Sequence, residues 1–186
     1  MKLSKAFYLG SIIGAPVVAF AIMVMGFVGA MGGAATGSED AARVGLGAMM
    51  GSFGLAMLMI VYACVVQMVL IYQLWAAIQD GHARTTPGKA VGFMLIPLFN
   101  LYWMFQAIHG FAQDYNKYIA RHGIKVPQLE EKLFLFYPIS IIGCMVPLVN
   151  MVAGLASVVL AILVAIKAID AVNALGAAPR AAGATA

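Results

Sequence analysis

Charge is scarce in this chain. Eleven Lys or Arg and seven Asp or Glu make up 10% of 186 residues, against about one quarter in an average soluble domain. That excludes an ordinary water-soluble fold, and the 63% of hydrophobic residues points to a membrane protein. The formal net charge of +4 comes from short flanks, which suits anionic lipid headgroups and not nucleic acid. Cysteine is equally rare: Cys64 and Cys144 sit inside apolar runs, where they read as small buried hydrophobes and not as a disulfide framework or a metal pair. The three histidines, His82, His109 and His122, fall in separate segments without His-x-x-x-His or Glu-x-x-His spacing, so no metal site is expected. No serine occupies a nucleophile elbow and no carboxylates face one another across a span. The expectation is a non-enzyme with no catalytic residue and no cofactor.

What the chain does contain is apolar length. Apolar regions run over about 7–34, 44–77, 90–111 and 133–169. The first two exceed the roughly 20 residues that cross a bilayer as a helix. The basic start, Lys2 and Lys5, followed by apolar residues resembles a signal peptide, but the apolar stretch is about twice the usual 7–15 residues, which predicts an uncleaved anchor. Between the first two regions, Glu39 and Asp40 suit the positive end of the following helix dipole.

A repeated motif interrupts the other two regions. Ile96-Pro97-Leu98-Phe99-Asn100 and Val146-Pro147-Leu148-Val149-Asn150 lie fifty positions apart. In hydrocarbon every backbone polar group needs an internal partner, so a proline followed by an asparagine is tolerated only where protein or trapped water takes up the freed groups. The fourth region would measure about 55 Å as one straight helix, almost twice a hydrocarbon core of about 30 Å. A break at Pro147–Asn150 turns it into a hairpin of 133–146 and 151–169. If both motifs are hairpin tips, Lys2, Lys5, Arg84, Lys89, Lys117, Arg121, Lys125, Lys132, Lys167 and Arg180 all fall on the cytoplasmic side, leaving Arg43 outside. Ordinary kinked spans are the competing topology. Lys167 and Asp170, three apart, read as a pair at the membrane surface. The expected architecture is therefore an all-α integral membrane protein. It is a single helical bundle over 1–175 with four apolar regions, the third and fourth broken at the Pro-x-x-Asn motifs, and a flexible Ala/Gly tail over 176–186.

Small residues recur four apart at Gly10/Gly14, Gly29/Gly33 and Gly47/Gly51, and also at Gly26/Ala30/Ala34 and Ala48/Ser52/Ala56, the spacing that lets transmembrane backbones approach closely. Such faces serve packing within the chain, a homo-oligomer or a partner membrane protein. Asn100 is followed by Gln106, His109, Gln113 and Asn116 at helical spacings, forming a polar stripe that Gln67 and Gln73 with Tyr62 and Tyr72 are placed to face, Asn150 joining it from the second motif. It reads either as interhelical hydrogen bonding or as the lining of a cavity for a neutral polar solute. No Asp, Glu, Lys or Arg lies deep in a span, which disfavours proton-coupled transport.

The stretch from Thr86-Pro87-Gly88-Lys89-Ala90-Val91-Gly92-Phe93 through Ile96-Pro97-Leu98-Phe99-Asn100-Leu101-Tyr102-Trp103 to Asp114-Tyr115-Asn116 resembles a block in small uncharacterised bacterial multi-pass membrane proteins, grouped as domains of unknown function. The resemblance covers about thirty residues and implies a bacterial cytoplasmic membrane, without a reaction or ligand. The expected function is that of a structural or accessory protein acting through helix–helix or lipid contacts, the N-terminus cytoplasmic. A small channel or facilitator is the alternative.

Overall fold

Between Lys5 and Glu39 the chain carries no charge to interrupt a helix, and α1 (Lys5–Ala35) runs until Gly37, at φ +69°, turns it back. Thr36 Oγ1 donates to the Gly33 carbonyl (2.7 Å), and the Ser38 hydroxyl accepts the Ala41 N–H (3.5 Å) at the start of the next helix. That helix, α2 (Glu39–Ala76), has Glu39 and Asp40 in its first turn, where the dipole favours them. A computed structural model describes residues 2–178. Among them all regular structure is helical, and three helices, α1, α2 and a last helix (Asn150–Ala177), are long and apolar enough to cross a membrane.

The described residues form two compact units. Ala6–Gln67 holds α1 with most of α2. The two helices pack through small residues: a Cβ on Gly45 would lie 2.9 Å from the Ala30 Cα and the Gly29 carbonyl, one on Gly33 would collide with the Ala41 carbonyl, and one on Gly26 with the Ser52 side chain. Ser11 and Tyr62 hydroxyls share a hydrogen bond of 2.9 Å farther along the pair. Of the other glycines expected at packing faces, Gly10, Gly14, Gly29, Gly47 and Gly51 have nothing within 4 Å of a Cβ position. Large apolar side chains such as Phe20, Met25, Met50 and Leu58 point outward.

The second unit joins the first five residues to the chain from Met68 onward. Thr86 caps α3 (Pro87–Gly92), its hydroxyl accepting the Lys89 N–H, with Pro87 at the first position, where its missing N–H costs nothing. A 3₁₀ turn (Phe93–Leu95) leads to non-helical Ile96–Leu98, and α4 (Phe99–Met104), a π turn (Phe105–His109) and α5 (Gly110–Arg121) follow without a gap. Gly123, at φ +61°, ends α5, with the Ile124 N–H reaching back to the Ile119 carbonyl. Then come α6 (Glu131–Gly143), non-helical residues 144–149, and α7 (Asn150–Ala177). Gly176 and Ala177 complete α7, and the rest of the expected Ala/Gly tail, from Pro179, lies outside the described residues.

The core of this unit forms where α2 ends. Trp75, Ile78, Phe111, Tyr115, Phe134 and Ile169 are fully buried, and Phe111 meets Trp75 edge-on at 5.8 Å between centroids. α7 is buried only in its second half, at Val164, Ala165, Ala168, Ile169, Ala171 and Val172.

The packing geometry predicts that Gly45→Leu, forced against backbone, destabilises the α1–α2 pair by about 1–3 kcal/mol. Gly47→Leu, which meets open space, leaves stability unchanged, and thermal unfolding in detergent separates the two.

Candidate functional site

Five of the chain's eighteen charged residues, Asp80, Arg84, Asp114, Lys117 and Arg121, lie on α5 and the loop beside it. The loop 80–86 leaves the end of α2 and is fastened to α5 by two reciprocal ion pairs, Arg84 with Asp114 and Asp80 with Arg121. Asp114 accepts the Arg84 backbone N–H (2.8 Å) on one oxygen, and Nε (3.0 Å) and Nη2 (2.9 Å) on the other. Nη2 also donates to Gln113 Oε1 (2.9 Å), and Nη1 to Gln106 Oε1 (3.4 Å). The guanidinium lies flat on the helix because position 110 is glycine: a Cβ there would sit 3.0 Å from Nη1. Farther along α5, Arg121 donates Nε (3.2 Å) and Nη2 (2.7 Å) to Asp80 Oδ2, while Oδ1 accepts the His82 N–H (2.9 Å). The hydrogen bond from the Arg121 guanidinium holds the Asp80 carboxyl below its ordinary value of 3.8. His82 and His122 each stand 3.9 Å from the same carboxylate.

The two residues after Asp114 fasten other segments. The buried Tyr115 hydroxyl donates to the Ala171 carbonyl of α7 (3.2 Å) and approaches the Pro127 carbonyl (3.4 Å), and burial pushes its pKa up to about 12. The Asn116 amide pairs with both backbone groups of Leu129, donating to its carbonyl (2.9 Å) and accepting its N–H (2.8 Å). The N-terminal residues close on α7 in the same way: the Asn173 amide brackets the Leu3 backbone (2.6 and 2.9 Å), and Lys5 pairs with Asp170. Asp170 thus has Lys5 as its ion partner in place of the expected Lys167.

The residues expected to form one polar stripe are distributed differently. Gln106 and Gln113 are bound to Arg84, Gln106 also donating to the Tyr102 hydroxyl (3.2 Å), and Asn116 is bound to Leu129. His109 is half-buried in the π turn. Asn100 is the second residue of α4, which begins after Leu98, whose φ of +64° is strained for a branched residue; the Asn100 Oδ1 is buried without a hydrogen-bond partner among the described residues. Asn150 opens α7 and is exposed, as are Pro97 and Pro147 in the two non-helical segments. Gln67 is half-buried in the other compact unit. That unit also holds an apolar cleft of about 350 Å³ lined by Met23, Phe27, Met49, Met50, Ser52 and Phe53. Comparison of the chain with protein-family models, curated proteins and solved structures returns no match.

Sequence reasoning missed both ion pairs, because their partners are 30 and 41 positions apart. The only local signal was the concentration of scarce charges near positions 80–84 and 114–121.

Removing Arg84 leaves the Asp114 carboxylate, 7% exposed, without its counter-ion. Arg84→Ala is therefore expected to cost about 3 kcal/mol in unfolding stability, and Arg84→Lys to recover little, since an ammonium cannot reproduce the fork. For Asp80, the lowered folded pKa means stabilisation that is present above the ordinary carboxylate value and lost as pH falls through the folded one. Arg121→Gln should move the Asp80 midpoint, followed by ¹³C-carboxyl NMR, back toward 3.8.

Proposed function

We propose that this protein is a multi-pass, non-enzymatic structural or accessory protein of the bacterial cytoplasmic membrane, acting through helix–helix and lipid contacts. The observation that carries this reading is the fate of the polar stripe. A conduit for a neutral solute needs amide groups free to exchange partners with the passing molecule, whereas Gln106 and Gln113 both bind the Arg84 guanidinium. Their chemistry is spent on holding the loop to α5.

The charge distribution supports a topology in which both Pro-x-x-Asn segments are hairpin tips. No Asp, Glu, Lys or Arg occurs between Lys89 and Asp114 or between Lys132 and Lys167. The tips carry Leu98 and Leu148, 84% and 97% exposed, and these large apolar groups belong in lipid. The helical path from Asn100 to Asp114 is about 21 Å and that from Asn150 to Asp170 about 30 Å, so the first hairpin enters part of a hydrocarbon core of about 30 Å and the second reaches across it. Lys5–Asp170, Arg84–Asp114 and Asp80–Arg121 then share the cytoplasmic side with the N-terminus. The open glycine faces at Gly10, Gly14, Gly47 and Gly51 are available to another helix, from a second copy or a partner membrane protein.

Single cysteines at Ser38, Tyr118 and Leu148, in a Cys64→Ser/Cys144→Ser background, test the topology with a membrane-impermeant maleimide. Position 38 should react on intact cells, 118 only after permeabilisation, and 148 in neither condition; reaction at 118 from outside rejects the hairpins. Proteoliposome swelling in glycerol tests the function. The accessory reading expects no flux above protein-free liposomes, and flux abolished by Gln106→Leu would establish the facilitator instead.

A further inference from the structure

We propose that the arm Phe99–Met104 is one position of a two-position rotary element, and that the Trp75 indole is its latch. Three marks of strain fall within twelve residues of this arm and none has a counterpart in α7 after the second Pro-x-x-Asn. Leu98 is held at φ +64°, the Asn100 carbonyl is buried without a donor among the described residues, and Phe105–His109 is a π turn closed by the Gly110 N–H on the Phe105 carbonyl. A π turn holds one residue more than an α turn, and such insertions concentrate at functional sites. Below it α5 is immobilised by Asp114, Tyr115 and Asn116. The fully buried Trp75 grips the turn itself, its Nε1–H donating to the Ala107 carbonyl at 3.0 Å.

If the π turn relaxes to α geometry while α5 stays fixed, everything on the far side turns by one residue step, about 100°, and advances about 1.5 Å. Each side chain of the arm then takes the direction its predecessor had. Asn100 moves to the direction of Phe99, which is 39% exposed, and its orphaned carbonyl becomes available to an incoming N–H or O–H donor. Trp103 moves to the direction of Tyr102, 58% exposed, and gives up its indole hydrogen bond to the Ala90 carbonyl (3.0 Å). The Trp75–Ala107 bond opposes this turn and the buried Asn100 carbonyl favours it, so a donor that reaches Asn100 only in the turned arm shifts the population toward it.

The chain contains two tryptophans, so Trp75→Phe removes the latch, keeps an aromatic ring against Phe111 and leaves Trp103 as the sole indole reporter. In the detergent-solubilised full chain, the Trp103 indole ¹H–¹⁵N signal is expected to leave its wild-type position, with hydrogen-exchange protection falling roughly tenfold as its bond is lost. Deleting Phe105 in the same background shortens the π turn to an α turn without rotating the arm, and should restore the wild-type signal. An indole signal unmoved by Trp75→Phe, or not restored by the deletion, overturns the proposal. Asn100→Leu, with Trp75 intact, supplies the opposite arm should the latch variant fold poorly. Removing the orphaned carbonyl should raise Trp103 protection, and unchanged or lower protection counts against the switch.

Discussion

Asp114, Tyr115 and Asn116 are consecutive on α5, and each fastens a different piece of chain: the loop after α2, the last third of α7 and the segment before α6. Helical geometry spaces consecutive side chains by about 100°, so three neighbours reach three directions and one turn of helix becomes the hub of the unit. In a chain with few charges this concentrates the strong, directional interactions in one region of the unit, next to the core of Trp75, Phe111, Phe134 and Ile169. The contacts are robust because most engage backbone groups or paired charges within a largely buried site, where hydrogen bonds lose little to competing water.

Away from that hub the constraint changes. The α1–α2 pair holds together through the absence of side chains at Gly26, Gly33 and Gly45, which brings backbones within van der Waals contact while Phe20, Met25 and Leu58 face outward. Between helices in lipid there is no hydrophobic driving force, so close approach and dispersion decide which faces meet. A buried carboxylate such as Asp114 needs a charged partner, whereas the α1–α2 pair meets through backbone approach at Gly33 and Gly45.

The two Pro-x-x-Asn segments show how similar local sequence acquires different states. At both, helix stops before the proline and resumes at or just before the asparagine. The first asparagine is half-buried in a segment whose Phe93, Phe99 and Trp103 rings pack together, and the second stands exposed at the start of α7. Trp75 bonds the π turn after the first arm, whereas the first turns of α7 lie on α6, Ala153 beside Gly143, with Met151, Val152 and Leu155 exposed.

The sequence by itself determined the helical class and the long apolar helices, because length, apolar composition and the scarcity of charge are properties of each segment alone. It placed breaks at Pro97–Asn100 and Pro147–Asn150, whereas the non-helical residues are 96–98 and 144–149, and Pro16 and Pro138 lie inside helices, so proline alone does not set where helix stops. It pointed to Gly33 as a packing position but equally to Gly10, Gly14, Gly47 and Gly51, because the four-residue spacing is identical whether or not a neighbouring helix comes close. Only the tertiary structure decided that Arg84 pairs with Asp114, Arg121 with Asp80 and Lys5 with Asp170, and that the glutamines of the stripe serve Arg84. Those contacts join residues 22 to 165 positions apart, and no periodicity encodes which of several like charges will be brought within hydrogen-bonding distance. The π turn at Phe105–His109 belongs to the same category: no sequence motif marks it, and it lies between α5, fastened at Asp114 to Asn116, and the arm whose Trp103 indole donates to the Ala90 carbonyl.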